Sequence, residues 1–135
     1  MPATVSQVAE GIKTRLATVS GLRTFSYQPE QVNPPVAFPV VESVEFHGAF
    51  GGGDVRMRFG VFVIVGRYLD RVAHANLDGF LSYSGETSLR AAIEGDRTLG
   101  GVANTLVLEN GLSVSALSVA EAEFLQVSFS LLVHA

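Results

Sequence analysis

Residues 55–81 read VRMRFGVFVIVGRYLDRVAHANLDGFL, and a change of period inside this stretch decides the fold. From Val55 to Arg67 the apolar residues alternate. Val55, Met57, Phe59, Val61, Val63 and Val65 fall on one side, as a strand with one face in a core requires. The other side begins with Arg56 and Arg58 and passes through Gly60 to Phe62 and Ile64, so it turns from polar to apolar along its length. That gradient predicts a long strand, central in its sheet at one end and projecting from it at the other. From Asp70 to Tyr83 the spacing lengthens to three and four residues. This predicts a helix capped by Asp70, with Val72, Ala73, Leu77, Phe80 and Leu81 turned inward.

Downstream, Ser84 to Val102 reads SGETSLRAAIEGDRTLGGV, a short helix with punctuation at both ends. Ser84 and Gly85 open it, Gly95 closes it, and Gly100-Gly101 turn the chain into the next apolar run. Leu89, Ala92 and Ile93 share one face, while Arg90 and Glu94 are spaced as an i,i+4 ion pair. Val102 to Glu109 and Leu112 to Val119 read as strands joined at Asn110-Gly111, a dipeptide suited to the positive φ angles of a tight hairpin turn. Ala122 to His134 is a final strand with Leu125, Val127, Phe129, Leu131 and Val133 on one side.

Upstream, Thr4 to Val19 has the spacing of a helix with a buried stripe of Val5, Val8, Ala9, Ile12 and Leu16. Thr4 and Gln7 fit a capping box, and Gly21 stands where a C-terminal cap belongs. Leu22 to Tyr27 is a short extended segment, and Gln28 to Pro35 is a stiff connector holding three prolines. Val36 to Phe46 is a strand in which Pro39 demands an edge position or a bulge. His47 to Asp54, HGAFGGGD, is a glycine-rich loop. The order of helix, strands, two helices and strands specifies an α+β class: a mainly antiparallel mixed sheet with two to three helices packed on it, in one domain spanning residues 1–135.

Composition narrows the functional classes. The 135 residues carry a formal charge of −4, with only 16% charged and 47% hydrophobic. A chain of this length buries roughly two thirds of its unfolded surface, enough for a core of its own. The acidic balance argues against nucleic-acid backbone binding as the main role. With no cysteine, disulfides, thiolate metal sites and thiol catalysis are excluded. The start, MPATVSQVAEGIKTR, lacks the apolar core of a signal peptide, and the densest apolar run, Phe59 to Val65, is too short to span a bilayer. A soluble intracellular product without membrane association is the expectation. The low charge fraction leaves neutral surface that suits subunit contacts.

Catalytic signatures are weak. The glycine-rich loop lacks the Gly-Lys-Ser/Thr of a phosphate-binding loop and ends in Asp54, which repels phosphate. Asp70, His74 and Asp78 share a helix face and form a nominal metal set, but Asp70 is needed as a cap. His47 and His134 are isolated in sequence. No G-x-S-x-G elbow is present. Glu42 and Glu45, three apart in a strand, should face opposite sides and so make a poor acid/base pair. Arg56, Arg58, Arg67 and Arg71 are the nearest approach to a basic patch. These readings leave no catalytic, cofactor-binding or metal residue to assign.

Taken together, several segments resemble the siphophage tail terminator (tail-completion) proteins. They are the N-terminal RLATVSGLRTFSY, the connector PEQVNPP, the strand MRFGVFVIVGR running into Asp70-Arg71, the stretch LSYSGETSLRAAIEGDRTLGGV and the last strand EAEFLQVSFSLLV. The match is strongest from Leu77 to Val102 and weakest from Val36 to Asp54. The resemblance implies a non-enzymatic virion protein, assembled in the host cytoplasm. Such a protein caps the head-proximal end of the tail tube as a homo-oligomeric ring, commonly a hexamer. It stops tube polymerisation and forms the head–tail joining surface. Its partners would be the tail tube protein and the head–tail connector or head-closure protein, with DNA passing through the lumen without specific binding and no cofactor. Within such a ring, the loop residues His47, Phe50, Gly51, Gly52, Gly53 and Asp54 are candidates for contact with tube or connector. Arg56 and Arg58 are candidates for meeting acidic groups of a neighbour. Another neck, head-closure or minor tail protein, or a small ligand-binding module or enzyme, are the alternative readings.

Overall fold

The computed structural model describes residues 4–19, 21–29, 34–46, 55–119 and 122–134. Helix α1 spans Val5–Leu16, strand β1 Arg23–Thr24, β2 Val36–Phe46 and β3 Val55–Arg67. Helices α2 (Arg71–Leu81) and α3 (Leu89–Glu94) follow, then β4 (Thr105–Val119) and β5 (Ala122–His134). The strands form one sheet in the order β1-β2-β3-β5-β4, antiparallel except for the parallel pair β1 and β2. The fold is the expected α+β arrangement, a mainly antiparallel mixed sheet with three helices packed on it.

The helices share the core with one sheet face. Val55, Met57, Phe59, Val61 and Val63 of β3 are buried there against Val8, Ile12 and Leu16 of α1 and Leu89 and Ile93 of α3. Helix α1 begins with the expected capping box: Gln7 N donates to Thr4 Oγ1 at 3.2 Å and Thr4 N to Gln7 Oε1 at 2.8 Å. It ends at Leu16 with Ala17 as its C-cap, four residues before Gly21. Leu89, Ala92 and Ile93 are buried as their spacing predicts, and Arg90 Nη1 stands 3.8 Å from Glu94 Oε1. The N-cap of α3 is Ser88, not Ser84. The buried Ser88 hydroxyl accepts from Ala91 N at 3.1 Å and donates to Ser82 O at 2.6 Å, while Gly85 at φ +116° belongs to the preceding turn. A deeper serine wins because it closes hydrogen bonds in both directions.

Strand β2 carries Pro39 at an edge. Pro35 O and Ala37 O accept from Arg23 N and Phe25 N of the β1 segment, so the same edge two residues on belongs to Pro39. The β1 pairing stops at Ala37, so the missing N–H at Pro39 costs no described ladder bond. Two sequence expectations fail on strand pairing. Strand β3 does not project: it pairs with β2 from Val55 to Ile64 and with β5 from Arg56 to Arg67. Its polar end lies on the face that the helices leave uncovered. Nor is Asn110-Gly111 a hairpin turn. Residues 105–119 form one strand, paired with β5 on both sides of a register shift between Glu109 and Ser113. Four steps along β4 there match two along β5, from Ser130 to Ser128. Gly111, at φ +72°, takes the backbone conformation that this bulge requires. The described pairing of β4 with β5 runs instead to Val119 opposite Ala122.

Helix α2 is the least buried. Asp70 caps it, accepting from Val72 N at 3.0 Å, but only Ala73 and Phe80 are buried. Leu77 is half-buried, whereas Val72 and Leu81, expected inward, are 64% and 38% exposed. An eleven-residue helix lying on a sheet turns only one stripe down, and Ala73 with Phe80 fills it. No described helix is long and apolar enough to cross a membrane.

After α3, Asp96 organises the loop that returns Leu99 to the core. Its carboxylate accepts from Thr98 Oγ1 at 2.7 Å, Thr98 N at 3.1 Å and Gly100 N at 2.9 Å. The Thr98 hydroxyl, then the Thr98 and Gly100 amides, hold its pKa below the ordinary aspartate value. The stabilisation is therefore complete above the unfolded-state value of about 3.9 and is lost as pH falls through the lower folded-state value. Asp96→Ala should lower the urea midpoint at neutral pH and flatten its fall below about pH 4. Parallel acid limbs for the two proteins would rule out this role.

Candidate functional site

The sheet face away from the helices divides into two halves. Near the β1 end of β2, Val36, Phe38, Ile64 and Phe124 form a second apolar cluster, with Phe38 stacked on Phe62 at 5.8 Å between ring centroids. At the other end the same face is charged. A bulge between Val41 and Ser43 decides this. Ser43 pairs with Arg58 and Glu45 with Arg56, so the extra residue, Glu42, shifts the phase of the strand. Glu42 then lies against Gly60 on the arginine face. Glu42 and Glu45, expected on opposite sides, thus share one side with Arg56 and Arg58.

Arg58 completes the cluster across the sheet. Its Nε donates to Glu109 Oε1 at 3.0 Å and its Nη2 to Glu109 Oε2 at 3.3 Å, a forked pairing over the intervening strand β5. Two strand spacings are roughly 10 Å, within reach of a long arginine lying over the small Ser130 that faces Glu109. The hydrogen bond to Glu109, then its charge and those of Glu45 and Glu42, raise the Arg58 pKa further above its ordinary value. Arg56 Nη1 lies 4.0 Å from Glu45 Oε2. The Arg58–Glu109 pair is partly solvated, so it orders the face more than it stabilises the fold. Beside it lies a shallow depression of about 310 Å³ lined by Glu42, Gly60, Glu109, Ser113, Ser128 and Ser130.

Among the candidate interface residues, Arg56 and Arg58 therefore make their ion pairs inside the chain. His47, Phe50, Gly51, Gly52, Gly53 and Asp54 lie outside the described residues. The paired ends Phe46 and Val55 show where that segment leaves and rejoins the sheet. The four arginines do not form one patch. Arg58 and Arg67 are nine residues apart along β3, roughly 30 Å, with Arg71 beyond the following turn. Asp70 is occupied as a cap, and His74 Nε2 donates to Tyr68 O at 2.7 Å. Among the described residues no three His, Asp or Glu side chains gather into a metal-binding group.

Alternation alone does not identify Glu109 as the Arg58 partner, which the strand order sets, or place Glu42 on this face, which a bulge sets. A second feature was hidden by helical spacing. The turn into α2 and its first residues expose Tyr68 at 39%, Leu69 at 93% and Val72 at 64%. Exposed apolar side chains recur across the sheet at Val41 and, past the polar cluster, at Phe46. A groove of about 460 Å³ runs between α1 and the β2 edge, walled by Val5, Ala9, Tyr27, Pro39 and Val41, with Glu10 on its lining. What the arrangement offers chemically is contact surface. The chain matches no protein-family profile and no curated protein sequence.

Proposed function

We propose that the protein is a structural virion component that caps the head-proximal end of a phage tail tube as a ring, stopping tube growth and presenting the head–tail joining surface. The observation that carries this reading is the apolar surface around Leu69 and Val72 and at Phe46, left exposed on a chain with few charges. An exposed apolar group as close-set as Tyr68, Leu69 and Val72 suits a surface that another protein covers. The resemblance of the sequence to tail terminators supplies the assembly. Subunits joined head to tail close a ring, commonly of six, whose two faces differ. One face meets the last ring of tail tube protein and the other meets the connector or head-closure protein. The acidic balance, −4 per chain, suits a lumen through which DNA slides without being held.

Phage assembled without the protein provides the test. Overlong tubes lacking heads, seen by electron microscopy, are the expected result. Normal tails joined to heads would overturn the reading. Tubes of normal length that fail to join would place the protein in head closure instead.

A further inference from the structure

We propose that Leu69 and Val72 of one copy seat in the groove between α1 and the β2 edge of the next copy, with Arg67 and Arg71 facing Glu10 across the contact. The contact deepens the ring reading and rests on it only for closure into a ring. Its first half is a knob. Leu69 is 93% exposed in the β3–α2 turn, and Val72 continues it onto the helix three residues later. Val72 lies roughly a quarter-turn around α2 from the buried stripe of Ala73 and Phe80, and Leu69 precedes the helix in the turn. Arg67 and Arg71 flank the knob, and their side chains make no ion pair among the described residues. Arginine and tyrosine, which flank the exposed leucine, are residue types enriched at binding hot spots.

Its second half is the groove. The walls are apolar, and Val41 and Tyr27 remain 43% and 66% exposed. Glu10 is the carboxylate on its lining, held only loosely by Lys13 at 3.9 Å. The knob is apolar with two cations and one carboxylate spent on capping α2, the groove apolar with an anion, and both belong to every copy. Within one chain they cannot meet: Phe59 at the groove and Arg67 at the knob are eight residues apart on β3, roughly 26 Å. The contact is therefore heterologous. Each copy uses its knob on one neighbour and its groove on the other, the geometry that generates rings. A symmetric knob-to-knob dimer would set four arginines against one another with only the two Asp70 carboxylates, already engaged as helix caps, to offset them, which the charges disfavour.

The cysteine-free sequence makes the test direct. The full chain carrying Leu69→Cys and Val41→Cys, treated with a short bis-maleimide, should give a ladder of covalent oligomers on a denaturing gel. Each single-cysteine protein should remain monomeric. Adding Arg67→Glu and Arg71→Glu should reduce the ladder about tenfold or more, and adding Glu10→Arg to that chain should restore part of it. All five positions are exposed or at a groove wall, and unchanged circular dichroism checks folding. No ladder from the double variant, a dimer from Leu69→Cys alone, or no recovery with Glu10→Arg would each overturn the contact. A ladder combined with normal tails in phage lacking the protein would leave the contact standing and remove the terminator reading. Overlong tails without a ladder would do the reverse.

Discussion

Phe59→Ala is expected to destabilise the protein by about 3–5 kcal/mol, the largest effect of any single truncation in the core. Phe59 is 1% exposed and is the largest fully buried side chain. It sits midway along the central strand, opposite Val41 of β2 and Leu131 of β5, on the face that α1 covers. Truncation loses the transfer free energy of the ring and opens a cavity that flanking strands, pinned by their ladders, cannot collapse into. A domain of this size has about 5–15 kcal/mol of stability in total, so a large share is removed. Urea unfolding should show a lower midpoint with an unchanged slope. Phe62→Ala is the internal control. That ring stacks on Phe38 on the uncovered face and is only half-buried, so its loss should cost clearly less. Equal costs would mean that the helix-covered face is not the main core.

The contrast between these two phenylalanines also shows how far the sequence is legible. Alternation placed Phe59 correctly, as it placed Val55 through Val63, because one covered face imposes a strict period of two. Helix positions and the capping box at Thr4 were readable for a similar reason: they depend on neighbours three and four residues away. What alternation cannot see is a phase change. Glu42 and Gly111 each sit at a bulge, where an extra residue turns subsequent side chains over or carries a strand past an apparent turn. The pairing of Arg58 with Glu109 has no local signal for a different reason, being fixed by a strand order in which β5 lies between them. Helical spacing overstated the burial of Val72 and Leu81 because it marks apolar residues without saying which stripe finds a partner within the chain.

Gly66→Ala is expected to lift helix α2 from the sheet, at a cost of about 1–3 kcal/mol. A register shift between Ile64 and Gly66 turns Gly66 opposite Leu125, towards the helices. A Cβ added there would stand 2.7 Å from the Ala73 Cβ and 3.6 Å from its Cα. Helix backbone cannot give way as the end of a long side chain can, so α2 itself must shift. Ala73 is also one of only two buried residues that α2 contributes, so little else anchors the helix. The same logic predicts rescue. Ala73→Gly removes the opposing methyl at a helix-propensity cost of about 1 kcal/mol, and the double variant should be less destabilised than the sum of the two singles. Additive costs in the cycle would show that the close approach of β3 and α2 is not what Gly66 provides. Because Leu69 and Val72 ride on this turn and helix, Gly66→Ala should also weaken cross-linking through the knob, and Ala73→Gly should recover it in the same chain. A surface built on α2 thus depends on Gly66, where β3 lets the helix approach closely at Ala73.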